Sequence, residues 1–253
     1  MFAGAGYVKG PRPTPAFAHP LWRGCLFCVA PGWHKGVAGI SGLGGPGFIE
    51  EDTITRVPGI VDGSIGAVYS QIDAGSTVSA GSSLDRIRFN DPNSYWNLGS
   101  LGSYSLACLY RYRSTANPGT RIFGKRAGGF TDAGWDLAAS GAGLIQAEWS
   151  DGTGDQTLLG TTTISTTQTL LVVVTHTGTG GVGRMYVNGI LEASLASTMT
   201  PGNNTEPITF FGLLSQTPNV DAEIAFAAHW NRAIDDSALA LYTNPYCMFG
   251  REL

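Results

Sequence analysis

The sequence predicts an all-β chain: a two-sheet antiparallel jelly-roll sandwich with a short C-terminal helix. Three observations predict it. Short apolar or alternating runs recur along most of the chain, with turn residues between them. Glycine reaches 36 of 253 residues with no collagen-like period, which suits many tight turns. Helical spacing of apolar residues marks one segment near the C-terminus, from Ile234 to Tyr242. A chain of 253 residues is long for an average domain but ordinary for an all-β sandwich.

Taken in order, residues 1–20 read as an extended N-terminal arm. Four prolines in "GPRPTPAFAHP" favour polyproline conformation, which has no internal hydrogen bonds. No interdomain linker follows, so residues 21–253 form one domain. "WRGCLFCVA" is a short apolar strand. Residues 31–65 are rich in Gly and Pro and yield no element. "GAVYSQI" and "GSTVSA" read as a hairpin. In "YSLACLYRYR", Tyr104, Leu106, Cys108, Tyr110 and Tyr112 share one strand face; Ser105, Ala107, Leu109, Arg111 and Arg113 share the other. "RIFGK", "GWDLAAS" and "GLIQAEWS" follow as strands. "TLLVVVTH" is apolar on both faces, which predicts a central strand packed between two layers.

"RMYVNGILEAS" carries the strongest turn signal. Asn188-Gly189 supplies the positive φ values of a type I′ turn, which sets Val187 opposite Ile190 and Tyr186 opposite Leu191. "ITFFGLL" and "AEIAFAAHW" add two strands. In the terminal helix, Asp235 or Asp236 is placed to cap the first turn. Ile234, Ala238, Leu241 and Tyr242 share one face, and Asn244-Pro245 ends it. About two turns do not hold unaided, so this helix must dock on the sheet.

Composition excludes several classes of function. Charged residues are 13%, well below the usual quarter, which fits surfaces partly covered by neighbours. A net charge of −4 gives no basic footprint, so nucleic acid is not an expected partner. No apolar run reaches the roughly 18 residues of a membrane helix, and the N-terminus lacks a charged start and apolar core, so neither membrane nor secretion is expected. Cys25, Cys28, Cys108 and Cys247 provide one CxxC with no second pair. In a strand Cys25 and Cys28 point to opposite faces, so free buried thiols of a reducing compartment are expected.

Four stretches in order, "YSLACLYRYR", "RIFGK", "TLLVVVTHTGTGGVGRMYVNGILEAS" and "AEIAFAAHWNRAIDDSALALYTNP", resemble the laminin-G-like, concanavalin-A-like jelly-roll family across roughly residues 65–245. Its "YVDG" hairpin stands here as "YVNG", and its last strand, Asn-Arg-Ala element and short helix match the fourth stretch. The ends "AHPLWRGCLFCVAPG" and "LYTNPYCMF" resemble single-domain versions in structural proteins of tailed bacteriophages. That resemblance implies a virion structural protein, a capsid decoration or a tail-associated component, assembled in the host bacterial cytoplasm. It would act through contacts with other virion proteins and with its own copies, without enzymatic activity or a required cofactor.

The alternative is a carbohydrate-binding module that recognises a cell-surface glycan. Trp33, Trp96, Trp135 and Trp149 lie near predicted loops; Trp135 and Trp149 flank Asp-bearing turns and are the stacking candidates, although large aromatics in a sandwich are more often core. Calcium takes oxygen ligands on loops, and Asp132 and Asp136 in "FTDAGWD" with Asp151 and Asp155 in "SDGTGD" are the candidates, although Asp-Gly pairs are also ordinary turn residues. A glycanase is the weakest reading: Asp221 and Glu223 share a strand face, but no third acid follows, and Glu223 falls where the resembled family has a structural acid. Glu50, Glu51 and Asp52 read as a solvated cluster. No Gly-x-Ser-x-Gly elbow occurs, and His19, His34, His176 and His229 have no acid–nucleophile setting, which argues against a serine hydrolase.

Overall fold

The structure is a computed structural model describing residues 20–29, 67–72, 75–80, 87–89, 97–98, 102–112, 121–128, 132–166, 168–210, 222–235 and 241. The expectations for residues 1–19 and 31–65, and for Trp96, Asp221 and Cys247, lie outside them. The side chain of Glu223 does too, although its backbone is in a strand. Fourteen strands are described. β1 (Cys25–Val29), β2 (Ala67–Ile72), β3 (Gly75–Ala80), β5 (Tyr104–Tyr112), β10 (Thr169–His176), β11 (Val182–Val187), β12 (Ile190–Ala196) and β14 (Ala222–Trp230) form the first sheet, in the order β12-β11-β10-β5-β14-β3-β2 with β1 also on β14. β4 (Ile87–Phe89), β6 (Arg121–Lys125), β7 (Gly134–Ala139), β8 (Leu144–Ser150), β9 (Asp155–Thr163) and β13 (Ile208–Phe210) form the second, in the order β4-β13-β6-β7-β8-β9. Every registered pair is antiparallel.

The alternation of β5 decides the layering. Tyr104, Leu106, Cys108, Tyr110 and Tyr112 face the second sheet and meet residues such as Phe123, Leu137 and Ile145. Ala107 and Leu109 face outward, yet they are buried too, in a second cluster with Leu171, Val173, Phe226 and Trp230. This is why "TLLVVVTH" is apolar on both faces: β10 lies between two cores. Each fully buried Leu or Val is worth about 1.5–3 kcal/mol relative to exposure.

The outer core is roofed by both ends of the described chain. Leu21, the middle residue of a 3-10 turn at Pro20–Trp22, packs there with Ile234 and Leu241. A clasp of hydrogen bonds joins the two ends: Trp230 Nε1 donates to Leu21 O at 2.6 Å, Arg232 Nη2 to Pro20 O at 2.9 Å and Arg232 Nε to Arg23 O at 2.7 Å. Ser105 Oγ donates to Arg232 O at 2.8 Å and accepts from Ile234 N at 3.0 Å. Of the expected terminal helix, Leu241 is the described residue in helical conformation, and it and Ile234 are fully buried as the docking face requires. The backbone that Asp235 or Asp236 would cap lies outside the described residues; of the two acids, the structure describes Asp235. Its carboxylate turns to the sheet and accepts from Thr175 Oγ1, from Tyr186 OH at 3.1 Å and from Arg184 Nη1 at 3.2 Å.

The β11–β12 hairpin has the expected register, Val187 to Ile190 and Tyr186 to Leu191, with φ of 50° at Asn188 and 79° at Gly189. Asn188 also grips β10: its N–H donates to Leu171 O at 2.8 Å, and its Oδ1 accepts from Leu171 N at 2.9 Å. The β2–β3 hairpin forms as expected. β4 and β9 were not anticipated. β9 alternates in exposure, but Gln156, Leu158, Gly160 and Thr162 on its inner side share no chemical character, so no period shows in the sequence.

Candidate functional site

A buried cluster of charged side chains lies on β6, β7 and β8 and just beyond β6. Asp136 and Glu148 are opposite each other across β7 and β8. Their neighbours Trp135, Leu137, Ala147 and Trp149 point into the inter-sheet core, so the two carboxylates stand on the other face of the second sheet. Both are nonetheless buried, as are Arg121 and Arg126. Arg121 Nε is 3.2 Å from Asp136 Oδ2, and its Nη2 is 2.9 Å from Glu148 Oε2. Arg126 Nη1 reaches the same two oxygens at 3.2 and 3.4 Å. Gln146 Nε2 donates to Glu148 Oε1 at 2.6 Å. Gly124 leaves room for this: a Cβ there would stand 2.7 Å from Asp136 Cβ.

Burial pushes the Glu148 carboxyl up to about 7, Asp136 adds to the rise, and the two guanidinium groups oppose it. Asp136 is raised by the same desolvation against the same arginines. A glycosidase needs one carboxyl to protonate a leaving group while the other attacks or activates water. Here each guanidinium bridges both carboxylates. The arrangement ties three strands together.

The calcium expectation is corrected at Asp136, whose carboxylate is committed to two arginines that would repel a cation. Asp132 closes a turn, with Oδ2 accepting from Gly128 N at 3.0 Å. Asp151 Oδ1 accepts from Thr153 Oγ1 at 2.7 Å, Thr153 N at 2.8 Å and Gly154 N at 3.2 Å, which holds its carboxyl below the ordinary value. Asp155 opens β9 and is exposed. Among the described residues no three His, Cys, Asp or Glu side chains converge as metal ligands.

The glycan-stacking expectation is corrected at Trp135 and Trp149. Each is 1% exposed and packed between the sheets, so neither presents a ring face to a sugar. Strand parity carried the signal. Trp135, Leu137 and Ala139 alternate on one face of β7, and Ile145, Ala147 and Trp149 on one face of β8.

His176 and Ser197 form a pair that resembles a base and its nucleophile, but the hydrogen bonds run the wrong way. His176 Nδ1 accepts from Gly178 N at 3.0 Å, so Nε2 carries the proton and donates to Ser197 Oγ. Ser197 is 2% exposed and donates to Met199 O at 2.8 Å. Burial lowers His176 and pushes His229 down to about 3, where Lys125 adds to the effect; both imidazoles are buried and neutral. Cys25 and Cys108 are buried thiols, and burial raises Cys108.

Where β9 and β12 border the two sheets, side chains join them. Glu192 accepts from Thr161 N at 2.8 Å, from Thr162 N at 2.9 Å and from Thr162 Oγ1. Burial opposes its ionisation, yet these bonds hold its carboxyl below the ordinary value. Gln156 Oε1 accepts from Thr198 N at 3.0 Å and Met199 N at 3.3 Å. Among the described residues, the exposed large apolar side chains also lie on these strands: Leu159 and Leu191 at 50% and Ile190 at 68%. Arg121, Arg126, Glu148 and Glu192 were all missed in the sequence, because their partners are brought together only by strand register within a sheet and by the packing of one sheet on the other.

The family model described as the concanavalin A-like lectin/glucanases superfamily matches residues 83–240. No curated protein is similar enough to count as a match. Solved structures do match. The binding domain of Paraclostridial Mosquitocidal Protein 1 has a TM-score of 0.65 at 14% identity, over 88% of this chain and 52% of that one. The receptor binding domain of botulinum neurotoxin D has a TM-score of 0.62 at 14% identity, over 88% and 53%. The binding domain of botulinum neurotoxin DC in complex with SialylT has a TM-score of 0.54 at 16% identity, over 87% and 51%. The chain thus spans about half the length of each, and at these identities the likeness is one of fold.

Proposed function

The chain belongs to the concanavalin A-like lectin/glucanases superfamily, and from that premise we propose that it is a non-enzymatic binding domain serving as a structural component of a tailed bacteriophage virion. One observation carries the contact role. Among the described residues, Asp136 and Glu148 are paired with two arginines and His176 is bonded to Gly178 and Ser197, contacts that hold strands together, while Leu159, Ile190 and Leu191 stand exposed. The virion assignment is supported by the two terminal stretches that resemble phage structural proteins. Its partners are other virion proteins and copies of itself, in a capsid decoration or a tail-associated position, with assembly in the host bacterial cytoplasm. Mass spectrometry and imaging of purified particles test this. The protein is expected in stoichiometric amount on the particle; its absence there, with a monomeric purified chain, overturns the reading.

A second reading, recognition of a cell-surface glycan, is favoured by the solved neighbours, which are binding domains, one of them solved with SialylT. Such a site would use exposed side chains and not Trp135 or Trp149. A broad glycan array is the test, and no binding across it removes this reading.

A further inference from the structure

At one end of the inter-sheet core the packing turns polar. Tyr104 opens β5 and His176 closes β10, as register partners in the first sheet. Trp135 and Trp149, opposite each other on β7 and β8, enter the same layer from the second sheet. The His176 ring connects them: Tyr104 stacks on it at 4.7 Å, and Trp149 meets it edge-on at 5.2 Å. Trp135 in turn lies 5.6 Å from the neutral ring of His229. The two nitrogens of His176 are engaged by Gly178 and Ser197. Three other polar atoms are not engaged. Tyr104 OH, Trp135 Nε1 and Trp149 Nε1 are buried and meet no acceptor among the described residues. Burial also keeps the Tyr104 hydroxyl protonated.

A buried N–H or O–H without a partner carries its full desolvation cost, and native folds leave few of them. Three in one layer, grouped around two imidazoles, do not describe a dry apolar core. We propose that Tyr104 OH, Trp135 Nε1 and Trp149 Nε1 line an internal hydration site between the two sheets. One or more water oxygens accept from the indoles, and the tyrosine hydroxyl donates to the water or accepts from it. A buried water makes about three hydrogen bonds, which two indoles and a hydroxyl provide. The two sheets are then joined at this end by a water bridge as well as by apolar packing.

Tyr104→Phe tests the site with the loss of a single oxygen. A hydroxyl bonded to held water makes the variant less stable, with Tm lower by about 2–4 °C for a chain of this size. A hydroxyl in a dry layer gives no such loss, because removing an unpaired group leaves Tm unchanged or raises it; either result overturns the proposal. A crystal structure of the wild-type chain is the independent measurement. An ordered water oxygen within about 3.2 Å of at least two of the three atoms is expected. A layer in which the three atoms have no ordered water beside them overturns the site.

Discussion

Gly124 shows how much one missing methyl group decides. It sits on β6 opposite Asp136, and a Cβ there would come within 2.7 Å of Asp136 Cβ and 3.0 Å of Trp135 O. Neither neighbour can yield cheaply, since one is held by two arginines and the other is strand backbone. Gly124→Ala is therefore expected to lower stability by about 1–3 kcal/mol, as overpacking does. Equilibrium denaturation measures it, and an unchanged midpoint would show that β6 shifts freely. Asn188 is the opposite case, where a side chain is required. Its φ of 50° suits Asn, and its amide oxygen also takes the N–H of Leu171 on the next strand.

At the scale of elements, the buried charges give β6, β7 and β8 a pH signature. Glu148 rises from an ordinary 4.5 to about 7, so the folded state holds its proton more tightly than the unfolded chain. That contribution is fully present below about 4.5 and is lost as pH climbs to about 7. His229 falls from 6.5 to about 3, so the unfolded chain takes the proton first, and its contribution is lost as pH drops through that window. Between roughly 4.5 and 6.5 the two slopes oppose each other, each at most about 1.4 kcal/mol per pH unit. Removing one should expose the other. Glu148→Gln is expected to gain stability with rising pH more steeply than the parent over this range, whatever its absolute loss. Chemical denaturation at several pH values reads the slope; parallel curves for parent and variant would refute the assignment.

For the whole molecule, the clasp between the chain's two described ends roofs the outer core. Leu109, Leu171, Val173 and Phe226 are buried there beneath Leu21, Ile234 and Leu241. Asp235 pins this roof through Thr175, Arg184 and Tyr186. Deleting residues 234–253 uncovers the apolar outer face of the first sheet, and the product is expected to aggregate or lose its cooperative transition. Asp235→Ala is milder, about 1–2 kcal/mol, because Arg184 and Asp235 are each about a third exposed. A truncated chain that stays soluble with an unchanged melting curve would show that the roof is dispensable.

Much of the architecture was legible in the residues because it depends on local periods. The two faces of β5, the doubly buried run of β10, the Asn-Gly hairpin with its register and the docked Ile234 and Leu241 all follow from alternation, turn geometry and helical spacing within one short segment. Tertiary structure decided what each polar group meets. Arg121 and Glu148 are 27 positions apart, Thr175 and Asp235 are 60 apart, and the pairs exist only because strand register joins the first and docking of the C-terminal segment on the sheet joins the second. The same holds for the two tryptophans. A turn beside them in sequence says nothing of the sheet above them, and it is the second layer that took their rings out of water.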